Sequence, residues 1–325
     1  MKYKTIFLSN HPEQVNYVYS PDRKARLAEL TDLREGTVTA EELANGGFSD
    51  VEIVFSTWGM PSLSEEELAK YLPNLKAVFY GAGATDAFVR PLLARGVKVL
   101  SAWQANAIPV AEFCVAQILL SLKGYFRNSR EIHRTGDWQS GKPCIGPGVY
   151  GETVALIGAG AISTKVRELL QAFQINVVVV PSRPERRTVS LEEVFQTALV
   201  ISNHLPNRDD NIGVLHRGLF ASMRPGATFI NTGRGAQVDE AGLVEVLESR
   251  PDLTALLDVT WPEPPPAGSK LYTLPNIRLS SHIAGSVNDE VHRMADYMIE
   301  ELKRFLAGEP LRYEVNESML LTSRK

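Results

Sequence analysis

Three stretches of the chain place a chemically capable side chain directly after an apolar run. Arg234 stands between Gly233 and Gly235 in Asn231-Thr-Gly-Arg-Gly235, after Thr228–Ile230. Asp258 and, beyond Trp261, Glu263 follow Ala255–Leu257, with Glu263 held between Pro262 and Pro264. His282 follows Ile277–Leu279 in Ser280-Ser-His-Ile-Ala-Gly285. An imidazole titrates near neutral pH and can carry a proton. A guanidinium can grip an anion through two parallel bonds. In open α/β sheets ligands bind outside the carboxyl ends of the strands, so these residues stand where such chemistry is expected.

A fourth stretch, Val154-Ala-Leu-Ile-Gly158-Ala-Gly160-Ala-Ile-Ser163, reads as a strand, a glycine turn and the start of a helix whose apolar face is Ile162, Val166, Leu169, Leu170 and Phe173. A strand at Val177–Val180 follows. Gly158 is expected to make the tight turn and Gly160 to let the backbone approach a pyrophosphate at the helix N-terminus. Ser163 takes the place of the third glycine and weakens the match. An NAD site places Asp or Glu at the end of the second strand. Here the sequence is Val180-Pro-Ser-Arg-Pro-Glu-Arg-Arg187, without a carboxylate at the strand end. Ser182 and Arg183, supported by Arg186 or Arg187, suit a 2′-phosphate, so NADP is expected in preference to NAD.

These residues need strands to hold them. Apolar runs rich in β-branched residues recur at Thr5–Leu8, Val51–Phe55, Lys76–Tyr80 and Val97–Leu100, then at Val154–Ile157, Val177–Val180, Leu199–Ile201, Thr228–Ile230, Ala255–Leu257 and Ile277–Leu279. Strands alternating with helical segments imply an α/β fold with parallel sheets covered on both faces. Ten such strands in 325 residues favour two units over one. The boundary is expected near residues 103 to 108, with a helix at Ala111–Leu122. A second long helix is expected after Ser286, where Ser286 and Asp289 have capping-box spacing, running to Gly308.

Asn231 to Glu240, Leu257 to Pro264 and Ser281 to Gly285 resemble, in order, the signature segments of the D-isomer-specific 2-hydroxyacid dehydrogenases, the family of phosphoglycerate dehydrogenase and glyoxylate/hydroxypyruvate reductase. Lys76 to Asp86, Asn106 to Glu112 and Gly151 to Gly160 are similar as well. The resemblance implies a Rossmann doubly wound domain, residues 104–287, inserted into a discontinuous flavodoxin-like substrate domain, residues 1–103 plus 288–325. It implies Arg234, Glu263 and His282 as catalytic residues, and a homodimer formed through the cofactor domains. His282 would then be the general acid for reduction of a 2-keto acid, and Glu263 would orient its ring and favour the charged form. Arg234 would bind the substrate carboxylate and polarise the carbonyl. Tyr80, Gly81, Ala82 and Gly83, with Ala84, would hold the same carboxylate. Ala161, Ile162, His204, Leu205, Pro206, Thr232, Gly233 and Asp258 would join the cofactor site, with Asp258 at the nicotinamide carboxamide.

Composition narrows the alternatives. The chain carries 34 basic and 38 acidic side chains, a net charge of -4, so nucleic acid and anionic lipid are poor default partners. Cys114 and Cys144 form no CxxC pair, which fits a reduced, cytoplasmic setting. The N-terminus lacks a signal-peptide apolar core, and the apolar run Val110–Leu122 reads as too short to cross a bilayer. No HExxH or nucleophile-elbow motif occurs, so neither a metal site nor a serine hydrolase is expected. Trp58, Tyr80 and Trp103 follow strands of the first unit and suggest a pocket larger than glyoxylate needs. Between Ser56 and Ala87 the only cations are Lys70 and Lys76, which disfavours a phosphorylated substrate. The rival reading is a nucleotide-sensing co-regulator on the same fold, since fold alone does not establish catalysis.

Overall fold

The computed structural model describes residues 2–133, 135–140 and 144–320. The chain divides into two compact units, Met1–Asn106 with Ser286–Lys325 and Ala107–Gly285. The first holds strands β1 (Lys4–Leu8), β2 (Asp32–Val38), β3 (Ile53–Ser56), β4 (Ala77–Tyr80) and β5 (Lys98–Ser101). They form one sheet in the order β2-β1-β3-β4-β5 with every pairing parallel, the flavodoxin-like arrangement. The interior strands β3 and β4 are buried along their whole length, so both faces can be apolar. Phe7, Tyr19, Phe55 and Phe79 interlock on one face, with Phe55 and Phe79 stacked at 4.9 Å between ring centroids.

The second unit holds β6 (Thr153–Ile157), β7 (Asn176–Val180), β8 (Val200–Asn203), β9 (Thr228–Asn231), β10 (Thr254–Leu257) and β11 (Ile277–Leu279). Its sheet, also all parallel, runs β11-β10-β9-β8-β6-β7. The full dinucleotide-binding order carries another strand beyond β7. Here the chain makes a short turn at Pro184–Arg186 and the helix Leu191–Thr197 instead, and β7 is an edge strand with half-buried valines. The strand order reverses between β6 and β8, which is where such sheets open a ligand crevice.

Register decides what reaches that crevice. Val180 pairs Ile157, Ile157 pairs Asn203, Asn203 pairs Asn231, Asn231 pairs Leu257 and Leu257 pairs Leu279. The next residues along each strand, Pro181, Gly158, His204, Thr232, Asp258 and Ser280, therefore emerge in one row on one edge of the sheet.

Two helical expectations need correction. The helix read as Ala111–Leu122 runs from Trp103 to Leu122, because the stretch taken for a boundary continues as helix through Pro109. At 20 residues it is long and apolar enough to cross a membrane by length and composition, and half of it is buried inside the protein. The last long helix spans Val291–Ala307 and is preceded by a single turn at Asn288–Glu290. Its side-chain cap joins Val287 N to Glu290 Oε2 at 3.1 Å, one residue beyond the Ser286 and Asp289 spacing. Ser286 N instead donates to Asn106 Oδ1 at 2.9 Å, tying together the two places where the chain leaves and re-enters the first unit. Gly308 ends the helix at φ +68°, a left-handed conformation natural to glycine.

Candidate active site

The turn after β6 is built by close approach. Gly158 has φ +110°, and a Cβ there would lie 2.4 Å from the His204 carbonyl oxygen. Only glycine lets β6 and β8 leave the sheet side by side. Around Gly160 the reverse holds, since a Cβ would meet nothing within 4 Å. The helix Ala161–Leu170 begins beside that open space, and the first amides of a helix, here Ala161 and Ile162, have no intrahelical acceptor. Ser163, in the third-glycine position, is buried and donates its hydroxyl to Gly158 O at 2.6 Å, closing the turn. Free amides, open space and a tight turn together fit a pyrophosphate.

At the end of β7, Ser182 and Arg183 are half-buried and Arg186 is exposed. Arg187 bends back to donate to Pro181 O at 3.0 Å and Ser182 O at 2.9 Å, so it shapes the loop. Sequence reading missed a further cation, Arg208, whose side chain is only 7% exposed. Its Nη1 lies 3.4 Å from Ser182 Oγ, while Nε donates to Asp210 Oδ1 at 2.7 Å and Nη2 to the other carboxylate oxygen. The Arg208 hydrogen bonds hold the Asp210 carboxyl below the usual carboxylate range, and the Arg183 charge adds to the effect. Ser182, Arg183 and Arg208 thus form a cationic corner beside the nucleotide turn.

Further along the edge, the loop Thr232–Gly235 presents Arg234, half-buried, with Nη1 on Gly233 O at 2.8 Å. The flanking glycines serve contact, not turning. A Cβ on Gly235 would sit 2.0 Å from the Thr260 backbone, and one on Gly233 would sit 2.9 Å from both Asn203 Nδ2 and Gln237 Oε1. Thr232 is buried with Oγ1 3.2 Å from Cys114 Sγ, and burial pushes that thiol up to about 11.

His282 and Glu263 meet. His282 Nδ1 is 2.7 Å from Glu263 Oε1, with both side chains partly open to solvent. His282 has φ +57°, an uncommon conformation for a residue with a Cβ, and the surrounding loop holds it there. The Asp258 carboxylate accepts from Ser280 Oγ at 2.6 Å, Ile283 N at 2.9 Å and Ala284 N at 3.0 Å, and Asp258 O accepts from His282 N at 3.0 Å. A carboxylate offers about four acceptor positions. One on Oδ2 therefore remains for a ligand amide, so Asp258 anchors the histidine loop as well as facing the cofactor row.

In the first unit, the loop after β4 has its carbonyls tied down. Gly81 O accepts from Thr57 Oγ1 at 2.9 Å, Ala82 O from Ser101 Oγ at 2.8 Å, and Gly83 O from Ser101 Oγ at 2.7 Å. Among the described residues, the amides of Ala82, Gly83 and Ala84 donate to no protein group. A run of free N–H groups can bind an anion. Tyr80, read as a pocket aromatic, is a core residue instead: its ring is 6% exposed and packs edge-on against Phe88 at 4.8 Å. Burial pushes its hydroxyl up to about 12.

Residues 115–284, over half of the chain, match the family described as D-isomer specific 2-hydroxyacid dehydrogenase, NAD binding domain. The chain belongs to this family. A hydroxypyruvate reductase of Thermotoga maritima is 30% identical over 237 residues, covering 70% of this chain and 77% of that protein. A D-3-phosphoglycerate dehydrogenase of Archaeoglobus fulgidus is 29% identical over 78% of this chain, but the chain spans only about half, 49%, of its length. The D-mandelate dehydrogenase of Rhodotorula graminis shares the fold, with a TM-score of 0.78 at 19% identity over 97% of this chain and 98% of that one. Within the family frame, the row from Gly158 to Ser280 is a dinucleotide edge, and among the described residues no cluster of metal-ligating side chains accompanies it.

His204 sits in that row, fully buried, with neither ring nitrogen bonded. Burial pushes it down to about 4 from its ordinary 6.5. The unfolded histidine takes up a proton below pH 6.5 and the folded one only near pH 4, so stability present above 6.5 is lost as the pH falls through this window. By linkage the ligand-free chain should lose about 2–3 kcal/mol between pH 7 and 4.5 through this group. His204→Phe, which replaces an unpaired polar ring by an apolar one, should remove that slope and keep the pH 7 stability within about 1 kcal/mol. Urea titrations of both proteins at the two pH values check it. Equal slopes would assign the acid sensitivity elsewhere.

Proposed function

We propose that the chain is an oxidoreductase that moves a hydride between a nicotinamide cofactor, NADPH by preference, and a small 2-keto acid, forming the D-2-hydroxy acid, and that it works as a cytoplasmic homodimer. The observation that carries the reading is the His282 to Glu263 contact of 2.7 Å on the sheet edge that also carries the Gly158 turn and Arg234. The nicotinamide supplies the hydride when bound. Glu263 occupies Nδ1 and fixes the ring, which leaves Nε2 of His282 to deliver the proton to the carbonyl oxygen. The guanidinium of Arg234 would pair with the carboxylate and stabilise charge growing on that oxygen. Within the first unit, the amides of Ala82, Gly83 and Ala84 are free to bind an anion.

A substrate without phosphate suits the first unit, where Lys76 is engaged by Glu52 at 2.8 Å and Lys70 lies over the Tyr71 ring. The name of the Thermotoga relative makes hydroxypyruvate the first acid to try, with glyoxylate, pyruvate and bulkier 2-keto acids beside it. Leu120, Tyr125, Trp138, Ile145 and Tyr150 are exposed apolar side chains of the second unit that a second copy would cover. One preparation tests the reading. Cofactor oxidation with that acid panel, read at 340 nm, should show turnover, and sedimentation should give a dimer. Absence of turnover with every acid would shift the reading to a nucleotide-sensing co-regulator.

Cofactor preference rests on the corner of Ser182, Arg183 and Arg208. NADPH should exceed NADH in kcat/KM, and Arg183→Ala should lower NADPH affinity by about tenfold to a hundredfold, the loss of one charge-assisted phosphate contact. Asp210→Asn should raise it by freeing Arg208. Fluorescence titration with both reduced cofactors reads this without turnover, and a wild type that binds NADH more tightly would remove the 2′-phosphate assignment.

A further inference from the structure

Beneath the Arg234 loop three buried carboxamides meet. Asn203, Asn231 and Gln237 are 0%, 1% and 2% exposed. Asn203 Nδ2 donates to Asn231 Oδ1 at 2.9 Å and to Gln237 Oε1 at 2.7 Å, while Asn203 Oδ1 accepts from Leu205 N at 3.2 Å. Gln237 Nε2 donates to Leu205 O and Pro206 O, both at 2.9 Å. The amide orientations are forced, because Leu205 N–H must meet an oxygen and the two carbonyls must meet a nitrogen.

The cluster holds Arg234 by both ends of its backbone. Arg234 N donates to Gln237 Oε1 at 3.2 Å, and Arg234 O accepts from Asn231 Nδ2 at 3.4 Å and Gln237 N at 3.3 Å. Asn231 Oδ1 also accepts from Gly233 N at 3.1 Å. Among the described residues the guanidinium makes a single protein bond, to Gly233 O, so its aim depends on where this backbone is fixed. The other partners of the cluster, Leu205 and Pro206, directly follow His204, whose carbonyl covers Gly158. The loop that carries the anion-binding arginine and the loop that covers the nucleotide turn are thereby one hydrogen-bonded body.

We infer that Gln237, acting through Asn203 and Asn231, is a positioning residue that sets the direction of Arg234 toward the substrate carboxylate. The inference rests on the proposed role of Arg234. Gln237→Leu keeps the bulk but leaves Arg234 N and Leu205 O without partners, while Pro206 O keeps its bond from Asn211 Nδ2 at 2.9 Å. It should lower kcat/KM for the best-reduced acid of the panel by about tenfold to a hundredfold, mostly through KM, as misplacement of a positioning contact does. The methyl ester of the same acid, which lacks the charge that Arg234 grips, should change little. The acid-to-ester ratio therefore falls toward that of Arg234→Ala. Equal losses for acid and ester would reduce Gln237 to a merely structural part and overturn the inference.

Hydrogen exchange on the ligand-free protein supplies a readout that needs no turnover. In Gln237→Leu the Gly233 and Arg234 amides should lose protection while Phe229 and Ile230 of β9 keep theirs. Unchanged protection at Arg234 overturns the inference whether or not any acid is reduced, whereas a wild type without turnover overturns only the proposed function. Should Gln237→Leu fail to fold, Gln237→Glu carries the same test. Its protonated carboxyl can still donate to Leu205 O or Pro206 O, so the ratio should hold at low pH and fall as the pH rises, and a flat ratio counts against the inference.

Discussion

His282→Ala should reduce keto-acid turnover by about a hundredfold to ten-thousandfold, the usual contribution of a positioned general acid, and should leave NADPH binding within about threefold of wild type. The clean split follows from how the loop is held. Its bonds to Asp258 come from Ser280 Oγ and from the backbone of His282, Ile283 and Ala284, and none uses the imidazole. Truncating the ring removes the proposed proton carrier and frees Glu263, while the loop keeps its anchor. Both side chains of the pair are partly solvated, so the freed carboxylate is not stranded in an apolar interior. Pre-steady-state and steady-state rates with NADPH, together with a fluorescence titration, check both halves. A kcat near wild type would take His282 out of the mechanism, and lost NADPH binding would show that the imidazole holds the loop after all.

Much of this site was legible because parallel strands announce their own ends. Runs such as Thr228-Phe-Ile230 and Ala255-Leu-Leu257 are buried on both faces and change abruptly to polar residues where the chain leaves the sheet. Since register aligns those ends, reading the residue after each run amounts to reading one edge of the sheet. The same rule explains the strand that sequence reading passed over. β2, Asp-Leu-Arg-Glu-Gly-Thr-Val38, is an edge strand with mostly exposed side chains, a register shift opposite Thr5 to Phe7 and Gly36 at φ +82°. Paired on one side only, it needs no apolar run and leaves no such signal.

Contacts set by register between distant segments were not legible. Arg208 reaches Ser182 across 26 residues, and Gln237 reaches Asn203 across 34. Nothing local marks either, though Arg208 does stand in the loop after β8, beside the point where strand order reverses, and that position is a usable signal. Tyr80 fails in the opposite direction. As the last residue of β4 it stands where site residues stand, yet its side chain alternates into the core and packs on Phe88. The position after a strand identifies candidates, and the face on which the side chain leaves decides among them.

The two glycines of the nucleotide turn should separate folding from binding. Gly158→Ala should cost about 3 kcal/mol or more, combining a strained positive φ with an overpacked contact. The Cβ would lie 2.4 Å from a backbone carbonyl that is itself fixed, since His204 N donates to Ile157 O at 2.7 Å and the following residues are pinned by Gln237. No side chain can swing away to relieve it, so β6 and β8 must separate, and dinucleotide affinity should fall by at least about a hundredfold. Gly160→Ala should behave otherwise. Its φ of -91° suits any residue and its Cβ meets nothing within 4 Å, so stability should stay within about 1 kcal/mol. That empty space is where the pyrophosphate would lie against the first amides of the helix, and a methyl group there should weaken NADPH binding by about tenfold or more. Thermal unfolding without ligand and NADPH titration give four numbers for the pair. A wild-type melting temperature for Gly158→Ala would refute the close approach of β6 and β8, and wild-type affinity for Gly160→Ala would move the pyrophosphate away from this turn.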